Sequence, residues 1–247
     1  MTGTILNIVT VLLGGALGLL FGARLPERLK HTVIAGMGLF TTALGVQMFL
    51  KTENPLIVLG ALLIGILLGE WGGIEDRLQR LGRRLEERFT RDPGPVSSPP
   101  PSGMIKGASD TNFVRGFLTA SLLFCVGPMT ILGSIQDGLT GDYQLLAVKS
   151  VLDGFAALAF ASTLGVGVLF STLVILVFQG GISLMAAGLS AIVTDPMLNE
   201  MTATGGVILM ALAISSLLEI KKIRAGNFLP ALAVAPLIVW VLGLLGL

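Results

Sequence analysis

The chain carries one histidine and one cysteine in 247 residues, together with one tyrosine and two tryptophans. A single His and a single Cys cannot furnish a metal site of the usual four-ligand kind. Cys125 sits alone inside an apolar run and offers no disulfide framework. Charge is scarce as well: 13% of residues are Asp, Glu, Lys or Arg, against about 25% in soluble domains. With 53% hydrophobic residues and a mean hydropathy of +0.88, such a chain cannot clothe itself in water. No Lys or Arg precedes Arg24, so the basic start of a cleaved signal peptide is missing and the first apolar run reads as a retained helix.

Enzyme signatures are missing too. No HExxH, GxSxG, P-loop or dinucleotide fingerprint occurs. Asp137, Asp142 and Asp153 lack the local pattern of an intramembrane aspartyl pair, and Lys149-Ser150 are adjacent rather than arranged as base and nucleophile. The chain therefore reads as a protein that is not an enzyme and needs no cofactor. Its net charge of +1 points to no nucleic acid, because the basic residues cluster in short segments flanking apolar runs.

Those runs define the fold class. A helix needs about 20 apolar residues to cross the hydrocarbon core, and eight such stretches occur, at 4–22, 32–50, 56–74, 113–136, 145–167, 170–192, 202–219 and 228–246. This is an all-α polytopic membrane protein whose main partner is the lipid bilayer. Counting spans from the N-terminus places Arg24, Arg28 and Lys30 on one side. Eight basic residues from Arg77 to Arg115 join them, followed by Lys221, Lys222 and Arg224. Fourteen of the sixteen Lys and Arg thus share a side, with Lys51 opposite and Lys149 inside a span. Cytoplasmic loops carry the excess of Lys and Arg, so that side is the cytoplasm and both termini lie outside it. An odd number of helices between Arg115 and Lys221 would scatter the charge; four gather it.

One segment is built for water. Ile74, Leu78, Leu81, Leu85 and Phe89 recur at helical spacing with charges on the opposite face, which predicts an amphipathic cytoplasmic helix over 74–89 lying on anionic headgroups. The Pro- and Ser-rich stretch 91–103 follows as a flexible linker. The organisation is one membrane domain over 1–247. It comprises a first repeat (1–74), the cytoplasmic helix and linker (75–110), a central helix pair (111–168) and a second repeat (169–247).

The repeat is faint but ordered. A shift of 166 lays Val11 on Val177, Gly14-Gly15 on Gly180-Gly181 and Gly22 on Gly188. A shift of 170 lays Pro26 on Pro196, Thr32 on Thr202, Gly36 on Gly206, Leu39 on Leu209 and Ala43 on Ala213. Five helices separate the starts of the two copies, so helices 1–3 and 6–8 form a 3+2+3 plan with inverted topology. Many secondary transporters are built this way; channels and static bundles use it too. Gly14, Gly18 and Gly22 make one ladder for close helix contact, and Gly65, Gly69 and Gly73 another. Packing within the chain is the favoured reading, with a homo-oligomer left open.

Polar chemistry concentrates in the central pair. Gly127-Pro128 interrupts the fourth helix; proline removes a donor, so the carbonyl near Phe124 loses its partner. Beyond the break, Thr130, Ser134 and Asp137 share a face. Such a discontinuous helix resembles the half-helices that hold solutes or ions in transporters, while a plain kink satisfied by a neighbour is the simpler alternative. In the fifth helix Lys149 and Asp153 stand one turn apart within the span. Ionisable groups there cost about 2.5–3.5 kcal/mol each on insertion scales and mark function by default. Asp153 lies about 12 Å inside by helical rise. A structural pair, with Lys149 snorkelling, is the competing account. Asn7, Gln47 and Gln179 are secondary candidates, each a lone amide that interhelical hydrogen bonding would explain. Glu70 and Glu219 suggest surface ion pairs, and His31 falls in a cytoplasmic loop.

FCVGPMTILGSIQDG at 124–138 and AVKSVLDGFAALAFASTLGVGV at 147–168 resemble the bacterial inner-membrane family called domain of unknown function 554, of YdfK/YqgA type. GTILNIVTVLLGGALG near the start and ALLIGILLGEWGGIEDRL at 61–78 fit it too, and the resemblance extends over nearly the whole chain. It implies a multi-pass protein of the inner membrane with no assigned activity, often labelled a transporter. The expectation is a secondary transporter of a small solute or ion, with a proton or cation as coupling partner. Its site would form where Asp153 and Lys149 meet Gly127, Pro128, Thr130, Ser134 and Asp137. A scaffold or sensor acting through 74–89, or an ion channel, is the alternative.

Overall fold

Proline and glycine set most of the helix boundaries. The computed structural model describes residues 1–22, 24–89, 111–190 and 193–245, all helix or short connection. Helix α1 (Thr2–Gly22) leads to α2 (Glu27–Phe49), which Pro26 precedes. Helix α3 (Pro55–Gly72) starts with proline in its first turn and Asn54 Oδ1 accepting the Leu56 N–H at 3.1 Å. It ends at Gly73, whose φ of +55° only glycine adopts without strain. The chain then turns into α4 (Ile74–Phe89), matching the predicted amphipathic helix. The predicted linker 91–103 lies outside the described residues.

The fourth predicted helix is two: α5 (Asn112–Val126) and α6 (Pro128–Thr140), bent by 63° at Gly127-Pro128. Helices α7 (Gln144–Leu164) and α8 (Gly167–Leu184) follow, then the short α9 (Ala186–Ser190). Helix α10 (Asp195–Leu212) continues as a π-helical turn through Leu217, and a 3-10 turn at Ala225–Phe228 leads into α11 (Ala231–Leu245). Seven of these segments are long and apolar enough to cross a membrane, and the bent pair makes up to eight.

The contacts of the pair decide the matter. A side chain on Gly167, at the start of α8, would strike the Phe113 carbonyl; one on Gly138 would strike the Ser183 carbonyl near the end of α8. The pair therefore runs the full length of α8 and makes one crossing.

Directions of the remaining helices agree. Gly14, Gly18 and Gly22 lie against the carbonyls of Gly154, Leu158 and Ser162. Both series advance together, so α1 and α7, the first and fifth crossings, are parallel. Gly45 and Gly206 meet each other's carbonyls while Gly38 meets Leu217 and Leu218, which makes α2 and α10 antiparallel. The same reasoning makes α3 and α11 antiparallel (Gly65 on Ala231, Gly69 on Asn227), and likewise α1 and α8 (Gly15 on Leu169, Gly180 near Met1 and Thr4). The glycine ladders thus pack within the chain. Gly73 is the exception, serving as a helix end rather than a contact.

Three details depart from the sequence expectations. Helix α10 begins seven residues before the predicted span, because Pro196 is in its first turn and Glu200 is anchored. Glu200 is buried and accepts hydrogen bonds from Thr52 Oγ1 (2.7 Å), the Glu53 N–H (2.8 Å) and the Asn54 N–H (3.0 Å), tying α10 to the α2–α3 connection. His31 lies in the first turns of α2 rather than in a loop. And α4 is docked on protein: Leu78 and Leu85 pack with Phe113, Val114, Phe117 and Phe170 of α5 and α8. The predicted surface ion pairs are present, Arg115–Glu219 at 2.5 Å and Arg224–Glu70 at 3.3 Å.

Backbone contact at the ladder predicts a sharp contrast between two glycines. Gly18→Val forces α1 off α7 and should destabilise by at least the ~1–3 kcal/mol of ordinary overpacking. Gly36→Ala, whose new methyl meets nothing within 4 Å, should stay within about 0.5 kcal/mol of the parent. Thermal unfolding of the purified proteins in detergent measures both.

Candidate functional site

The α1–α7 contact brings three polar side chains together in the membrane interior. Lys149 and Asp153, one turn apart on α7, are 5% and 8% exposed and form an ion pair. Asn7 of α1, fully buried, donates through Nδ2 to Asp153 Oδ2 and to Gln179 Oε1 of α8, each at 3.0 Å. Four of the candidates named from sequence, Lys149, Asp153, Asn7 and Gln179, are thus parts of one network that joins α1, α7 and α8. Glycine at positions 14, 18 and 22 lets the α1 and α7 axes approach closely enough for it.

The other face of the ion pair borders a cavity of about 620 Å³, between α2, the α5–α6 break and α7. Lys149, Asp153, Gly127, Met129 and Gln47 line it, with Lys51 at its rim on the end remote from the basic segments. Phe40, Leu44, Met48, Leu123, Leu152 and Phe155 supply apolar walls. Its size falls within the range of small-molecule sites, about 300–1,000 Å³. Thr41, on α2, also lines it; its hydroxyl is buried with no hydrogen-bond partner among the described residues.

The break itself is repaired locally. Pro128 removes the donor that would serve the Phe124 carbonyl, and the Thr130 hydroxyl donates to that oxygen instead, at 3.0 Å. Ser134 donates to the Thr130 carbonyl in turn. Both hydroxyls are fully buried and their donors go to backbone, so they hold the bend in shape rather than face the cavity. Pro128 opens α6, and its ring is not among the described side chains. Asp137 is drawn elsewhere: its Oδ2 accepts the Gly3 N–H at 3.1 Å, near the start of α1.

The expected single site is therefore three arrangements. Lys149, Asp153, Gly127 and Gln47 border the cavity. Asn7 and Gln179 back Asp153 on its far side, with Asp137 further along α6. Thr130 and Ser134 belong to the bend. Sequence reasoning missed Thr41, Thr4, Ser183 and Glu200. The spacing of Thr4 with Asn7, and of Gln179 with Ser183, carried a signal: two polar residues one helical turn apart in otherwise apolar helices. Among the described residues no cluster of three or more His, Cys, Asp or Glu forms a metal site.

Residues 2–240 match the family described as "Protein of unknown function (DUF554)". The chain belongs to this family. Among its relatives, the "Uncharacterized membrane protein YdfK" of Bacillus subtilis (strain 168) is 30% identical over 251 residues, covering 100% of this chain and 99% of the relative. The "Uncharacterized protein YqgA" of Escherichia coli (strain K12) is 31% identical over 234 residues, 94% of each. No solved structure matches. Family membership and the apolar helices together make the chain a membrane protein.

A buried pair behaves differently from two independent residues. Lys149→Met alone leaves a carboxylate buried without its cation, and Asp153→Leu alone leaves an ammonium; each should cost roughly 3–5 kcal/mol. The double variant should be more stable than either single one, because no lone charge remains. Unfolding measured across the four proteins of this cycle checks the coupling.

Proposed function

We propose that this protein is a secondary transporter moving a small solute or ion across the bacterial inner membrane, with the cavity beside Lys149 and Asp153 as its binding site. One observation carries this: a buried, oppositely charged pair deep in a transmembrane helix lines a cavity of small-molecule size at a helix break. Charges in hydrocarbon are costly and are retained where they act. In this reading Asp153 takes a proton or cation, while Lys149 meets a carboxylate or other anion. The chain's role is movement rather than bond chemistry, driven by a coupled ion or by the solute's own gradient.

Two features support the arrangement. Helices matched by the sequence repeat, α1 with α8, α2 with α10 and α3 with α11, touch as antiparallel pairs, as an inverted repeat requires. The matched glycines do not pack alike, however: Gly15 meets Leu169 and Gly22 the Ser162 carbonyl, while their matches Gly181 and Gly188 meet nothing within 4 Å. The two halves would then differ in detail while sharing a plan. The basic residues gather at the end holding Gly22, Ser162 and Gly167, which we assign to the cytoplasm, with both termini on the other side.

A scaffold role through α4 is the second reading, and one observation bears on it. Leu78 and Leu85 of α4 are already covered by α5 and α8, while Leu81 stays exposed, so a partner would be read mainly by the charged face, including Arg80, Arg83 and Arg84.

A thermal-shift screen of purified protein against ions, amino acids and organic acids tests the transport reading. A ligand at a hundred times its Kd should stabilise by about 2.7 kcal/mol, and Asp153→Asn should abolish the shift. A shift that persists undiminished in both Asp153→Asn and Lys149→Met would place binding elsewhere and overturn the assignment.

A further inference from the structure

Behind Asp153, away from the cavity, five buried polar atoms have no hydrogen-bond partner among the described residues. They are Thr4 Oγ1, Asn7 Oδ1, Asp137 Oδ1, Gln179 Nε2 and Ser183 Oγ. They belong to three helices that meet along one line. The Gly3 N–H bonds Asp137, Gly138 abuts the Ser183 carbonyl, the Thr4 methyl lies near Gly180, and Asn7 bonds both Gln179 and Asp153. Thr4 to Asn7 and Ser183 to Gln179 are each about one helical turn, near 5.4 Å. The atoms thus occupy two levels: Asp137, Thr4 and Ser183 towards the end of the bundle, then Asn7 and Gln179 against Asp153. Past Asp137, residues 138–144 are exposed, so the outer level lies within one turn of the surface.

Buried polar groups are rarely left unmatched, and a buried water typically makes 2–4 hydrogen bonds to such groups. The mixture here suits water. Two atoms only accept, two hydroxyls both donate and accept, and Gln179 Nε2 only donates. A metal cation would be repelled by that N–H, whereas a water accepts from it.

We propose that these residues enclose a short hydrated path along which a proton passes between the bundle end at Asp137 and the Asp153 carboxylate. A proton enters the chain of waters at the outer level, and each water accepts one proton as it passes another on. The last O–H bond forms on Asp153, with no oxidation or reduction. Neutralising Asp153 ends its pairing with Lys149, which keeps its ammonium charge and turns to an anion in the cavity. The charged groups around the path are the Met1 amino group 3.1 Å from Asp137 Oδ2, and Lys149 at Asp153. The use made of the proton rests on the transport reading; the presence of water does not.

Silver-ion accessibility separates the two. Ag⁺ follows aqueous routes too narrow for organic thiol reagents. In a Cys125→Ser background, which removes the native thiol, Thr4→Cys and Ser183→Cys each place a near-isosteric thiol in the path. Ala157→Cys, in the apolar core beside Phe160 and Val11, is the dry control. Proteoliposomes are exposed to Ag⁺, and remaining thiols are counted by maleimide capture and mass spectrometry after denaturation. The path predicts loss at positions 4 and 183 at least ten times faster than at 157. Rates at both positions as slow as the control would overturn it, even if solute flux is found. Rapid silver reaction without flux of any solute tested would keep the path and count against transport.

Discussion

Three glycines of α1 lie directly on the carbonyls of α7, and the interior of this protein depends on that contact. In lipid the helices gain nothing from hiding apolar surface from one another, so association rests on packing and on hydrogen bonds between helices. Without side chains at Gly14, Gly18 and Gly22, α1 reaches the α7 backbone. That distance lets Asn7 span to Asp153 and Gln179 at once. A bulkier residue in the ladder would move Asn7 away and leave Asp153 with Lys149 alone.

The Lys149–Asp153 pair sits between two different surroundings. A buried ion pair offers little net stability compared with apolar packing, so its retention across a membrane span calls for a use. Its two faces differ. Towards α2 it meets a cavity with apolar walls and the uncapped start of α6; towards α1 and α8 it meets amides and hydroxyls. In the proposed transport reading, a solute would meet the carboxylate from the cavity side and a proton would reach it from the other. The bend at Gly127 contributes shape, and Thr130 relieves its cost by serving the Phe124 carbonyl.

Much of this was legible in the residues. The gathering of Lys and Arg at one end required an even number of crossings between Arg115 and Lys221, and the bent α5–α6 pair supplies its one crossing where that arithmetic needs it. The spacing of Ile74 to Leu85 marked α4, and Gly127-Pro128 marked the break, because proline's missing donor is a local fact. Adjacency was not legible. A glycine ladder announces a close contact without naming its partner, so α7 as the neighbour of α1 came only from the structure. For the same reason Asn7 and Gln179 looked like separate amides, and Asp137 looked like a neighbour of Thr130 rather than of Gly3. Glu200 left no signal at all, since its three donors lie about 150 residues away in the α2–α3 connection.

The central claim is that the Lys149–Asp153 pair works on a solute from the cavity beside it. Solute uptake into proteoliposomes, driven by an imposed pH gradient, tests this most directly when wild type is compared with Asp153→Asn and with Thr41→Val. The account predicts that Asp153→Asn abolishes driven uptake in a protein that still elutes as a folded species, and that Thr41→Val weakens apparent affinity for the solute. Driven uptake by Asp153→Asn at the wild-type rate would contradict it.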